Sequence, residues 1–223
     1  MVSPSSVPVG GFPRVLVTGF EPFGGARLNP SRLAVQALHG RLVAGHRLIG
    51  AELPTVFGRS LEVLADLLQR HHPTLVVCLG QAGGRTALSL ERVAINVSDA
   101  RIPDNAGAQP VDAPVVAGGP AAYFTSLPIK AMLVDLLAAG INAEVSQTAG
   151  TFVCNHVFYG LMHLLARRPP LPHTRGGFIH VPWLPAQGQP SMRLEETVQG
   201  LRIAIECALT TVSDVRAQAG ALA

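Results

Sequence analysis

The chain has 223 residues, 48% of them hydrophobic and 14% charged, which suits one globular domain with a sizeable core and excludes intrinsic disorder. Its net charge of +3 comes with no basic run longer than Arg167-Arg168, so the Lys/Arg stripe or patch that nucleic-acid binding requires is missing. A membrane span needs roughly 18 uninterrupted apolar residues, and the longest apolar stretches, such as Ile129–Ile141, are interrupted, here by Lys130 and Asp135.

Residues 1–13, rich in Ser, Pro and Gly and without a basic start, are expected to form a flexible tail and not a signal peptide. Residues 14–223 are expected to form one domain. Arg14–Thr18 is a β-branched run that predicts a buried strand. Asn29-Pro30 predicts a helix start, with Asn as N-cap and Pro at the first helical position. Residues 47–53 predict a second strand, and residues 57–70 a helix with its apolar side at Leu61, Leu64, Ala65 and Leu68. Residues 74–79 form a third, wholly apolar strand, and residues 88–96 predict another. The Pro- and Gly-rich stretch 98–128 is expected to be loop. Then come a helix over 128–139, a strand over 143–147, a helix over 154–166, a strand over 177–181 and a long terminal helix over 193–218. Alternation of this kind, with strands apolar on both faces, predicts an α/β/α sandwich around a mostly parallel twisted sheet. Ligands of such sheets bind beyond the carboxyl ends of strands, which directs attention to the segments that follow them.

The three cysteines are far apart and odd in number, which predicts no disulfide framework and fits a reducing cytoplasm. Cys78, mid-strand, and Cys207, on the last helix, read as buried apolar side chains. Cys154 differs, because it follows a turn and opens a helix, where free amides and the helix dipole favour a thiolate nucleophile. Such a thiol needs a base. His71 and His72 end a helix, and His156 lies two positions from Cys154 and points elsewhere on the same helix. His180 ends an apolar strand and is the candidate partner, although a core histidine bonded to backbone fits its spacing equally well. Glu91, a carboxylate in an apolar stretch, requires a partner. That partner is either the histidine or an arginine, Arg85 or Arg92, and Asp99, Asp104 and Asp112 compete for the orienting role.

Six segments resemble, in order, those of the type I pyroglutamyl peptidases (pyrrolidone-carboxyl peptidases). They are residues 18–25 (TGFEPFGG) with Asn29-Pro-Ser31, residues 80–85 (GQAGGR), 91–96 (ERVAIN), 99–105 (DARIPDN), 149–155 (AGTFVCN) and 177–182 (GFIHVP). The resemblance covers nearly the whole chain from Arg14 onwards. It implies removal of an N-terminal pyroglutamyl residue from peptides, without metal or other cofactor. Cys154 takes the nucleophile's place, His180 that of the acid/base and Glu91 that of the orienting acid. Phe20 and Phe23 match the substrate pocket's aromatic positions, Asn29 and Gln81 its polar side, and Arg101 the arginine near the reacting carbonyl. It also implies a homo-oligomer, dimer or tetramer. Two rival readings are a phosphorylase-type transferase, with Arg85 or Arg101 supplying charge, and a catalytically silent domain that binds pyroglutamyl peptides.

Overall fold

The computed structural model describes residues 12–167 and 173–220, so residues 1–11 of the expected tail, and Arg168, lie outside it. Fourteen elements follow in chain order: β1 (Arg14–Phe20), α1 (Pro30–Leu38), β2 (Leu42–Val43), β3 (His46–Leu53), α2 (Arg59–His71), β4 (Leu75–Gln81), β5 (Leu88–Glu91), β6 (Val93–Ile95), β7 (Ala122–Phe124), α3 (Ile129–Ala138), β8 (Ala143–Ser146), α4 (Val153–Arg167), β9 (Arg175–Val181) and α5 (Leu194–Thr210). Seven strands make one sheet in the order β2-β3-β1-β4-β9-β5-β8, and β6 and β7 pair apart from it.

The sheet is mostly parallel, as the alternation predicts. Strands β3, β1, β4 and β9 share one direction, while β2 runs against β3 and β5 against β9. Because β8 is parallel to β5, it too opposes the central strands. Its carboxyl end therefore does not lie on the rim where β4 and β9 finish, and the turn after β8 must carry the chain back to the site.

Period-two alternation sorts the buried side chains into two layers. Val15 and Val17 of β1, Leu75, Val77 and Leu79 of β4, and Ile179 and Val181 of β9 pack with α1, α3 and α5. Leu16, Phe20, Val76, Cys78 and Phe178 pack with α2 and α4 on the other face. Strands buried on both faces must be apolar throughout, which is why they read as unbroken runs. Each such leucine contributes roughly 1.5–3 kcal/mol by leaving water.

Asn29 caps α1 as expected, its side chain accepting from the Ser31 amide at 3.0 Å, with Pro30 in the first position. Gly19 lets that helix start approach β1, since a Cβ there would stand 2.6 Å from the Ser31 carbonyl oxygen.

Three expectations are corrected. Residues 88–96 are not one strand, because the chain leaves the main sheet at Arg92, whose amide bonds to Ser146 while its carbonyl accepts from Thr125. Its continuation, β6, pairs with β7, which lies inside the stretch expected to be loop. The terminal helix stops at Thr210 and not near Gln218. Arg175 donates to the Thr211 and Ala208 carbonyls at its end, and Asp214 turns away to accept from the Lys130 and Ala131 amides that open α3.

Candidate active site

The site forms on the face that α2 and α4 cover, near the carboxyl ends of β4 and β9. Gly80 and His180 are Cα partners in the β4·β9 ladder, and by alternation their side-chain positions share the face of Cys78 and Phe178. Cys154 is the second residue of α4, whose first turn is closed by the His156 amide donating to the Phe152 carbonyl at 3.1 Å. Its sulfur fills the space above Gly80. A Cβ built on Gly80 would lie 2.7 Å from Cys154 Sγ and 2.8 Å from Phe178 Cζ. The thiol thus stands directly beside the strand position of His180.

The imidazole is fixed from behind. His180 Nδ1 donates to Glu91 Oε1 at 2.7 Å, so that Nε2 is the nitrogen the acid does not hold, and the Phe178 ring backs it at 4.9 Å. Both partners are buried, Glu91 completely. The same oxygen accepts from Arg85 Nη1 at 2.8 Å, and Arg85 Nη2 donates to the Thr148 carbonyl at 3.2 Å. The histidine and the arginine that competed for Glu91 in the sequence are therefore both its partners. Asp99 meets the Thr151 carbonyl through its amide, and the Asp104 carboxylate accepts from the amides of Phe57, Ala106 and Ala108.

A resting thiolate at the helix start was the expectation, and the environment opposes it. Burial, followed by the Glu91 charge, pushes the Cys154 thiol up to about 12, and Arg85 offsets only part of that. The helix end is outweighed because the sulfur sits against the sheet and in the field of an acid.

The other expected residues divide into two groups. Phe23 and Gln81 line an open cavity of about 530 Å³, together with Leu28, Ile102 and Trp183. Arg101 lines a neighbouring one of about 310 Å³, with Ile102, Thr151 and Phe152. The two are linked through Ile102 and through the Phe23–Phe152 ring pair, whose centroids are 5.8 Å apart. Phe20 is 2% exposed and packs on Phe178 within the core. Asn29 is also buried, its amide shared between Ser31 and the Glu21 carbonyl. The sequence reading missed Gly80 as the sulfur's cradle and Ile102, Phe152 and Trp183 as cavity walls. All but Trp183 lie inside the segments quoted above, where apolar types read as ordinary packing. Among the described residues, no cluster of three or more His, Cys, Asp or Glu side chains is placed to hold a metal ion, and no helix is long and apolar enough to cross a membrane.

A mostly parallel α/β sandwich with a helix-start thiol seated over Gly80, the ladder partner of a carboxylate-bound histidine, defines a cysteine-type hydrolase. The family model described as pyroglutamyl peptidase matches residues 13–211, and the chain belongs to that family. The pyrrolidone-carboxylate peptidase of Cupriavidus taiwanensis is 59% identical over 215 residues, which cover 94% of this chain and 99% of that protein. Pyroglutamyl peptidase I of Bacillus amyloliquefaciens superposes with a TM-score of 0.90 at 47% identity, covering 93% of this chain and all of that one. A mutant pyrrolidone carboxyl peptidase from the hyperthermophile Pyrococcus furiosus gives 0.83 at 42% identity, covering 88% of this chain and 98% of that one.

Proposed function

We propose that the chain removes the N-terminal pyroglutamyl residue from peptides through a thioester on Cys154, with His180 as acid/base and Glu91 orienting His180. The observation that carries the reading is the side-chain gap at Gly80, which seats the Cys154 sulfur beside a histidine whose Nδ1 is bonded to Glu91.

In the first step His180 Nε2 takes the thiol proton as Sγ attacks the pyroglutamyl carbonyl. Because burial and then the Glu91 charge push the thiol up, proton transfer to Nε2 goes together with attack. The Cys154 amide, in a first turn without helical acceptors, meets the oxyanion, with Arg101 on the carbonyl side. His180 then protonates the departing amine, and Nε2 deprotonates the water that releases pyroglutamate. Glu91 holds the Nδ1–H tautomer and stabilises the transient imidazolium.

Pyroglutamate is a flat, uncharged lactam, so its site needs apolar walls and a few hydrogen-bonding groups and not a carboxylate anchor for an ammonium. Phe23, Phe152 and Ile102 supply the walls, and Gln81 the polar contact. Phe20 and Asn29 shape the slot from beneath, through the core and the α1 cap. The phosphorylase reading is disfavoured because the Arg85 guanidinium is engaged by Glu91 and Thr148. A reducing cytoplasm suits a thiol nucleophile. Exposed Phe124, Val134 and Leu137 support a dimer or tetramer, which sedimentation tests.

Rapid quenching of enzyme with a pyroglutamyl ester, followed by peptide mass spectrometry, is expected to find a pyroglutamyl adduct on the Cys154 peptide. An adduct elsewhere, or hydrolysis by a Cys154→Ala protein, would refute the assignment.

A further inference from the structure

Arg85 lies in the loop between β4 and β5 and touches neither Cys154 nor His180 through a hydrogen bond, yet it contacts what holds each of them. One nitrogen of its fork donates to Glu91 Oε1 at 2.8 Å, the oxygen that also accepts from His180 Nδ1, and another donates to the Thr148 carbonyl. Thr148 belongs to the turn that returns the chain from β8 to Cys154, a turn tied down by Ser146 Oγ donating to the same carbonyl at 3.0 Å.

We propose that Arg85 is a positioning residue for the hydrolysis, clamping Glu91 against His180 and fixing the turn ahead of Cys154 so that nucleophile and base stay in register. This rests on the triad assignment above. Glu91 is fully buried while Arg85 is about a quarter exposed, so the arginine brings a compensating cation from the rim to a carboxylate that burial alone would penalise. The other charged or titratable groups facing the site are Cys78 from β4, and Glu144 of β8, whose carboxylate accepts from Ser89, the ladder partner of His180. Arg92 points away to Gln147. A planar fork can hold the carboxylate and the carbonyl together, whereas a lysine ammonium keeps the charge without that geometry.

The test is a double-mutant cycle of Arg85→Met and Glu91→Gln on the full chain, with Arg85→Lys beside it, read on hydrolysis of a pyroglutamyl amide and on thermal unfolding. Arg85→Met is expected to lower kcat/KM about 10–100-fold, as loss of a supporting contact does elsewhere, with KM little changed. The acid limb of its pH profile moves up, because the cation behind Glu91 is gone. Added to Glu91→Gln, the same change costs clearly less than in the wild type, since only the Thr148 contact is then left to lose. Arg85→Lys recovers the pH profile but only part of the rate. Thermal unfolding needs no substrate: Arg85→Met lowers Tm, and adding Glu91→Gln restores part of the loss. Additive effects on kcat/KM with an unmoved acid limb would overturn the proposal, as would additive effects on Tm. A folded wild type that cleaves no pyroglutamyl amide contradicts the proposed function instead, and the Tm cycle then decides whether the clamp exists.

Discussion

Gly80 and His180 face each other across the β4·β9 ladder, and the side chain that Gly80 lacks is the space the Cys154 sulfur occupies. The distance between nucleophile and base is thus set by a strand register and by an absence of atoms. Replacing Gly80 with alanine places a methyl group 2.7 Å from Sγ, with Phe178 at 2.8 Å behind it, so the thiol must be displaced. Gly80→Ala is expected to lose about 10²-fold or more in kcat/KM, as misplacement of a reacting group by about 1 Å does. Its circular dichroism should stay that of the wild type. Retained activity would show that the sulfur does not attack from this seat.

The thiol's protonation state gives a second prediction. Burial and Glu91 raise the Cys154 thiol to about 12, and a raised thiol stays neutral until the solution is strongly alkaline. At neutral pH the ultraviolet thiolate absorbance of the wild type should match that of Cys154→Ala. A full equivalent of thiolate there would show that a pre-formed ion pair, and not base-assisted attack, is the resting state.

Glu91 acts on the two catalytic groups in opposite senses, and substitution separates them. In Glu91→Gln the charge that pushes the thiol up is gone, so Cys154 should alkylate faster with iodoacetamide at a fixed mildly alkaline pH. Hydrolysis should nevertheless fall by about 10²–10⁴-fold, because the imidazole loses its orienting and stabilising partner. Alkylation and hydrolysis falling together would place Glu91 in a purely structural role.

His156, two residues beyond the nucleophile, ties α4 to the start of α2. Its Nε2 accepts from the Gly58 amide at 3.1 Å and its Nδ1 faces Ser98 Oγ at 3.1 Å. Burial lowers it from 6.5 to about 4. A histidine depressed in the folded state takes up its proton more readily when unfolded, so stability is lost as pH falls from about 6.5 towards 4. The loss amounts to about 3 kcal/mol at most. His156→Gln should flatten the fall of Tm over that window; an unchanged slope would assign acid sensitivity elsewhere.

Asn29 distinguishes support from contact. Its amide is engaged in capping α1 and holding the Glu21 carbonyl. Asn29→Ala is expected to cost about 1 kcal/mol, as loss of an N-cap does, while KM for a pyroglutamyl amide stays within about twofold. A large rise in KM without loss of Tm would mean that Asn29 meets the substrate directly.

The alternation of apolar runs and helical patterns was enough to read the sandwich, because strands buried on both faces and helices with one apolar side leave a local record. The α1 cap was legible for the same reason, in Asn29-Pro30. Direction and pairing leave no such record. Nothing between residues 88 and 96 marks Arg92 as the point where the chain changes sheets, and nothing local shows that β8 runs against the centre of the sheet. In the site, Cys154 was marked by its helix start, but spacing left His180 and Glu91 with bland alternatives. Those were settled as contacts only by the fold, since 89 residues separate the two. The helix end that favours a thiolate is local and legible, whereas the burial and the Glu91 charge that oppose it come from other strands. Ile102 and Phe152 look like core residues in sequence and become walls only where two cavities meet.

The most direct test of the central claim is release of a fluorescent amine from a pyroglutamyl amide, beside the matching prolyl and alanyl amides, by reduced wild type and by Cys154→Ala. The account predicts cleavage of the pyroglutamyl amide alone, insensitive to chelator and abolished in the variant. Cleavage that survives in Cys154→Ala, or none from folded and reduced wild type, would contradict it.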